Sequence, residues 1–176
     1  KMKYLFLPIN IQPNASIKKT GDVVRICHSP TNRYYKGSNT IINICSDLAK
    51  RNDVEFILIE NKSHEETQRI KQTCDIFIDQ LYNRGGWGYG MNSVEALSMG
   101  LCCLTELVQE YQKFIPDNPF INVTSQTLNK TLLDILDNKH KIVEYKIKAR
   151  KWVVKYHDMN NVTNQLYNYY KRFDIT

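Results

Sequence analysis

Short apolar runs alternate with longer segments of helical spacing along almost the whole chain, and this alternation constrains the fold more than any other feature. Val23-Val24-Arg25-Ile26-Cys27-His28 is a β-rich run. Beyond it, Ile41, Ile42, Cys45, Leu48 and Ala49 recur at helical spacing, with Ser38 or Asn39 placed to cap that helix. Val54 to Ile59 is a near-continuous apolar run, the pattern of a strand covered on both faces. Ser63, with Glu66 three residues on, predicts a capping box for a polar helix reaching about Cys74. Further strands are predicted over 75–79, 101–105 and 120–123. A helix from Met91 to Met99 stops at Gly100, and others lie near 125–138, 141–156 and 160–173. Strand and helix in regular succession predict an α/β domain, a parallel sheet with helices on both sides. The domain is expected over residues 21–176, led into by a linker over 1–20 that Pro8, Pro13 and Asn14 punctuate.

Composition narrows the class. A chain of 176 residues, 42% hydrophobic and 24% charged, can bury a core without metals or disulfides. No apolar run approaches the roughly 18 residues of a membrane span, and Leu5-Phe6-Leu7 before Pro8 is too short for a signal peptide. Cys27, Cys45, Cys74, Cys102 and Cys103 form no CxxC pair and lie in apolar segments, which fits reduced thiols in the cytosol. A soluble, cytoplasmic chain is expected. The sequons at Asn14, Asn61, Asn122, Asn129 and Asn161 are read as unused, since no targeting signal accompanies them. The net charge of +6 points to an anionic partner: nucleotide phosphates, nucleic acid or a membrane surface. Much of the excess lies in Lys139, Lys141, Lys146, Lys148, Arg150, Lys151 and Lys155. Spread around a helix, these read as a solvated face, or else as peripheral contact with a membrane bearing lipid-linked acceptors. The tyrosines are scattered and no nucleic-acid motif appears, so nucleic acid is not the expected partner.

Chemistry in such a sheet sits in loops at the carboxyl ends of the strands. Two loops of unusual composition, 29–37 and 80–92, occupy that position. Five of the seven glycines fall between Gly85 and Gly100. Gly88-Tyr89-Gly90 runs straight into a helix, where bare backbone and free N–H groups suit an anion; the alternative is an inert surface hairpin. Lys36, before Gly37, can reach a diphosphate as a point charge and Arg33 can add a planar fork, or both are solvated loop cations. Glu95, on the first turns of the glycine-loop helix, can accept paired hydrogen bonds from vicinal hydroxyls or serve as a dipole-stabilising acid. His28 reads as a hydrogen-bonded structural residue. His64, His140 and His157 lack metal-ligand spacing.

The residues His28-Ser29-Pro30, Lys36-Gly37 and Gly88-Tyr89-Gly90-Met91-Asn92-Ser93-Val94-Glu95-Ala96-Leu97-Ser98-Met99-Gly100 resemble the C-terminal, donor-binding domain of GT-B-fold glycosyltransferases, specifically glycosyltransferase family 4. The likeness covers roughly residues 22–173 and includes Asp75 and the closing helices with Trp152 and His157. It implies a Rossmann-like fold and a nucleotide-sugar donor, such as a UDP- or GDP-sugar, used without metal by a retaining mechanism. It further implies an acceptor domain on the N-terminal side. Lys36, with Arg33, would bind the diphosphate, as would the loop Gly88-Tyr89-Gly90 and the amides of Gly90, Met91 and Asn92. Glu95 would hold the ribose, and the turn Asn61-Lys62 would contact the base by its backbone. No catalytic residue is assigned. This chain departs from the family pattern in three places. Trp87 stands where the first of two glutamates seven residues apart is expected. Thr31 and Pro30 stand where the family's arginine lies. One βαβ element is missing between the first two motifs.

Overall fold

In a computed structural model describing residues 4–11, 17–84 and 89–172, the apolar runs pair into one parallel sheet. Its strands are β1 (Val24–His28), β2 (Val54–Leu58), β3 (Ile76–Ile78), β4 (Cys102–Thr105) and β5 (Ile121–Asn122), in the order β2-β1-β3-β4-β5. The expected α/β architecture is the observed one.

Period-two alternation divides the core. Val24, Ile26, Ile76, Ile78, Cys102 and Leu104 face α2 (Ser38–Leu48) and α6 (Leu128–Asp137). Cys27, Phe77 and Cys103 point the other way, packing with α4 (Met91–Ser98) and α7 (His140–His157). α3 (His64–Gln72) precedes β3, and α8 (Met159–Arg172) ends the described chain. Each fully covered Ile or Leu contributes roughly 1.5–3 kcal/mol by leaving water, so the strands are fixed by their own composition. All five cysteines are buried free thiols. Among the described residues no helix is long and apolar enough to cross a membrane.

Several local details differ from the sequence reading. The 29–37 loop contains a helical turn, α1 (Arg33–Lys36), because the Asn32 side chain accepts from the N–H groups of Tyr34 and Tyr35. A second short helix, α5 (Gln109–Gln112), follows β4. Neither Ser38 nor Asn39 caps α2. Gly37 occupies that position, and the Ser38 hydroxyl is drawn instead to buried His28. Gly100, at φ 74, ends α4 in a Schellman arrangement, its N–H on Leu97 O and that of Leu101 on Ala96 O, each at 3.0 Å. Lys146 is not on a solvated face. It is buried, donating to Asp75 Oδ1 at 2.6 Å and to Lys18 O and Thr20 Oγ1 at 3.1 Å. Lys139, Lys141 and Lys155 pair with Asp53, Asp134 and Asp117.

The 4–11 stretch is extended and docked. Ile9 N–H donates to His157 O at 2.8 Å and Met159 N–H to Ile9 O at 3.1 Å, while Ile11 is buried. Leu7 O accepts from His157 Nδ1–H at 2.7 Å. Phe6 lies against His157, Tyr156 and Trp152, with ring centroids 5.1, 5.5 and 6.2 Å away.

Gly37 fixes the relation between the two chemistry-bearing loops. Its φ of 64 is left-handed, and a Cβ there would lie 2.8 Å from both Leu81 O and the Tyr82 ring. We expect Gly37→Ala to lower the unfolding free energy by about 2 kcal/mol, from the left-handed penalty with steric overlap added. Urea denaturation measures this, and an unchanged midpoint would show that the loops do not need the close approach.

Candidate functional site

The order β2-β1-β3-β4-β5 reverses direction at β1, so the chain leaves β1 and β3 toward opposite faces: α2 on one side and α4 on the other. Between the carboxyl ends of these two strands the sheet opens a crevice, the usual place for a ligand in a doubly wound fold. Both loops singled out from composition end there. Lys36, at the end of α1, and Gly90, at the head of α4, meet: a Cβ placed on Gly90 would be 4.0 Å from Lys36 Nζ. Gly90 has φ −114 and ψ −179, extended backbone open to any residue, so the bare position matters for space. Among the described residues no side chain caps α4, which leaves the amides of Met91 and Asn92 to an outside acceptor at the positive end of the helix.

Two polar clusters, one around buried Asp79 and one around buried Lys71, support this cradle. In the first, Lys36 Nζ donates to Asp79 Oδ1 at 2.5 Å and to Gln80 Oε1 at 3.1 Å. The other oxygen of Asp79 accepts from the Ser93 hydroxyl at 2.5 Å, and both Asp79 and Ser93 are fully covered. In the second, Lys71 of α3, wholly buried, donates to Asn92 Oδ1 and, at 3.2 Å, to Glu95 Oε2, with its ammonium 5.1 Å from the Phe77 ring centroid. Asn92 Nδ2–H donates to Ser29 O at 2.6 Å, so the helix head is tied to the β1 loop. His64 Nε2 donates to Glu95 Oε1 at 3.0 Å. Burial alone would raise the Glu95 carboxyl, but the His64 hydrogen bond and the Lys71 charge outweigh it, and its pKa is lowered. Glu95 is thus an ionised, aimed acceptor at the edge of the crevice.

The remaining sequence candidates divide. Arg33 lies on the same rim, but its guanidinium forks onto Glu60, Nε to Oε1 at 2.7 Å and Nη2 to Oε2. Asn61 holds a left-handed turn at φ 54 just past β2, and Lys62 pairs with Glu66 at 2.8 Å. The Tyr89 side chain turns inward onto Phe120 and Trp152, with centroids 5.0 and 5.9 Å away, and its hydroxyl meets His157 Nε2 at 3.3 Å. Burial pushes that phenol up to about 12. Gly88 and Trp87 lie outside the described residues.

Asp79, Gln80, Ser93, Lys71 and His64 were missed as site residues in the sequence reading. A signal existed for Asp79, an acid at the carboxyl end of a wholly apolar strand. None existed for Lys71, whose partners lie on another helix. Two cavities flank the crevice. One, of about 370 Å³, is walled by Tyr4, Phe6, Met91, Val94, Tyr111 and Phe114 and borders Gly90. The other, of about 380 Å³, lies among Arg33, Tyr34, Gly37, Thr40, Tyr82 and Arg84. There the Arg84 guanidinium sits 4.4 Å from the centroids of both tyrosine rings.

Neither a protein-family model nor a curated protein matches the chain. Solved structures share its fold. Alr3699/HepE of Anabaena in complex with UDP-glucose matches with a TM-score of 0.62 at 12% identity, over 86% of this chain and 49% of that one. A GtfA/B complex matches with a TM-score of 0.69 at 11% identity, over 94% of this chain and 39% of that one. Sucrose-phosphate synthase from Thermosynechococcus elongatus matches with a TM-score of 0.61 at 13% identity, over 86% and 46%. The chain thus spans half or less of the structures it matches. Its fold is the Rossmann-like α/β fold of GT-B glycosyltransferases.

Beside the cradle, fully buried His28 ties the roots of both loops. Its Nδ1–H donates to Ile78 O at 2.8 Å, so Nε2 accepts from the Ser38 hydroxyl, also at 2.8 Å. Burial lowers its pKa below the ordinary 6.5, and burial lowers that of His157 likewise. The unfolded chain therefore binds more protons once pH falls through about 6.5, and stability is lost from there down toward the lowered folded values. His28→Gln should flatten part of this slope in denaturant titrations across that range; an identical slope would mean that His28 takes up its proton while folded.

Proposed function

We propose that this chain is the donor-binding domain of a glycosyltransferase, one that moves a sugar from a nucleotide-sugar, such as a UDP- or GDP-sugar, to an acceptor glycan or lipid-linked saccharide. The observation that carries the reading is the approach of Lys36 to bare Gly90 at the head of α4, where a Cβ on Gly90 would lie 4.0 Å from Lys36 Nζ at the switch point of the sheet. A diphosphate there would take one charge-assisted hydrogen bond from Lys36 and others from the amides of Gly90, Met91 and Asn92. Glu95, held ionised by Lys71 and His64, would accept from the ribose hydroxyls. The turn at Asn61 and Lys62 would lie against the base through its backbone. Arg33 would join the phosphates by exchanging Glu60 for them. Support also comes from the fold shared with the Anabaena protein crystallised with UDP-glucose.

In this reading the acceptor comes from an N-terminal domain across a cleft. Transfer is retaining, with no metal, and the donor's own phosphate assists. Side chains here orient the donor and compensate its charge, while departure of the nucleoside diphosphate supplies the driving force. A sugar-nucleotide-binding module without transfer is the second reading, favoured by Trp87 where a glutamate is expected. Turnover measured after joining an N-terminal half, over a broad panel of donors and acceptors, separates the two.

Isothermal titration with UDP, GDP and their sugar conjugates tests the proposal, and absence of heat with all of them removes it. Lys36→Met should weaken nucleotide binding at least about tenfold, the worth of one charge-assisted contact. Gly90→Leu should leave the fold intact, because the backbone there suits any residue, yet abolish detectable binding by filling the space beside Lys36.

A further inference from the structure

The anion cradle already contains an anion. Asp79 stands at the carboxyl end of β3 with no exposed surface on its side chain, while the Lys36 side chain keeps 15% of its own. One carboxylate oxygen takes Lys36 at 2.5 Å and the other takes Ser93 at 2.5 Å, within the first turn of α4. The carboxylate therefore spans the two components that would bind phosphate, the lysine and the helix head. Two other titratable groups close by are buried and neutral near pH 7: burial lowers the pKa of His28 and raises that of the Cys103 thiol, which lies near Asp79, Ser93 and Lys36. In charge terms the cradle holds one ammonium, about half a positive charge from the helix end, and one full negative charge. The net attraction for a phosphate is well below what Lys36 and the glycine loop suggest by themselves.

We infer that Asp79 is the built-in counter-ion of this site, a positioning residue that aims Lys36 at the α4 terminus and sets how strongly the site attracts an anionic ligand. This rests on the donor-binding reading and gives it a specificity element. Before a nucleoside diphosphate arrives, Asp79 keeps the ammonium oriented and compensated. When the phosphates arrive, Lys36 divides its hydrogens between Asp79 and the ligand. The bond that Lys36 donates to Gln80 Oε1 is the one most readily given up, since it is longer and Gln80 is only half-buried. A ligand must therefore carry enough charge, in two places, to engage both Lys36 and the helix amides.

Three proteins test this by calorimetry with UDP: the unaltered chain, Asp79→Asn and Gln80→Glu. Asp79→Asn keeps an oxygen for Lys36 and removes the charge. It should bind UDP about tenfold more tightly at low ionic strength, the gain shrinking as salt rises. Its thermal midpoint should fall, because Lys36 loses its ionised partner. Tighter binding in a less stable protein is the signature; a purely structural aspartate would lose both. Gln80→Glu, at a half-buried position, adds a second carboxylate beside Lys36 and should weaken UDP about tenfold. A folded Asp79→Asn that binds no more tightly than the unaltered chain overturns the inference and leaves the donor reading intact. If Asp79→Asn does not fold, unchanged affinity in Gln80→Glu overturns it instead. Failure of the unaltered chain to bind UDP while GDP binds moves the comparison to GDP, and failure with both removes the donor reading and this inference together.

Discussion

Two loops that leave a sheet toward opposite faces can share a ligand only if something holds their roots together. Here that work falls to the contact between Gly37 and the Leu81-Tyr82 peptide. Leu81 N–H donates to Lys36 O at 3.1 Å, and the absence of a side chain at Gly37 lets the Tyr82 ring lie directly against the turn. Tyr82 is itself left-handed at φ 67, an unusual state for a bulky residue. It is held by its N–H on Glu106 Oε2 at 2.8 Å and its hydroxyl against Thr40 at 3.0 Å. His28 adds a second tie below. The position of Lys36 is therefore a property of the folded core more than of a loop.

The same economy appears in the charges. A surplus of +6 suggests a broad basic surface, yet many of the cations are matched inside the molecule. Lys146 is buried on Asp75, Lys71 on Glu95 and Asn92, and Lys36 on Asp79. Buried pairs of this kind add little net stability compared with apolar packing but are costly to break. They define geometry. At the cradle they hold a helix head, a lysine and a carboxylate in register before any ligand is present.

Much of this architecture was legible in the sequence because burial leaves a periodic trace. Phe77 between Ile76 and Ile78, and Cys103 between Cys102 and Leu104, mark strands covered on both faces, and Gly100 marks the end of a helix. The rim shared by Lys36 and Gly90 followed from the strand-helix order. Other features leave no periodic trace. α1 is a single turn held by the Asn32 side chain, too short for an apolar stripe. Lys146 was misread because its partner Asp75 is distant in sequence, and the roles of Asp79 and Lys71 emerge only when separate elements are brought together. Tyr89 belongs to the loop expected at the diphosphate, but its ring packs into the core against Phe120 and Trp152, partners far off in sequence.

That inward turn has a mechanical consequence. The phenol of Tyr89 rests on His157 Nε2, and the opposite nitrogen of the same imidazole is fastened to Leu7 O in the extended leading stretch. Tyr89 immediately precedes Gly90. A strip of chain that shares no sheet with the crevice is therefore joined, through one ring and one phenol, to the residue beside the peptide facing Lys36. The cradle's glycine edge is thus anchored from outside the sheet as well as from within it.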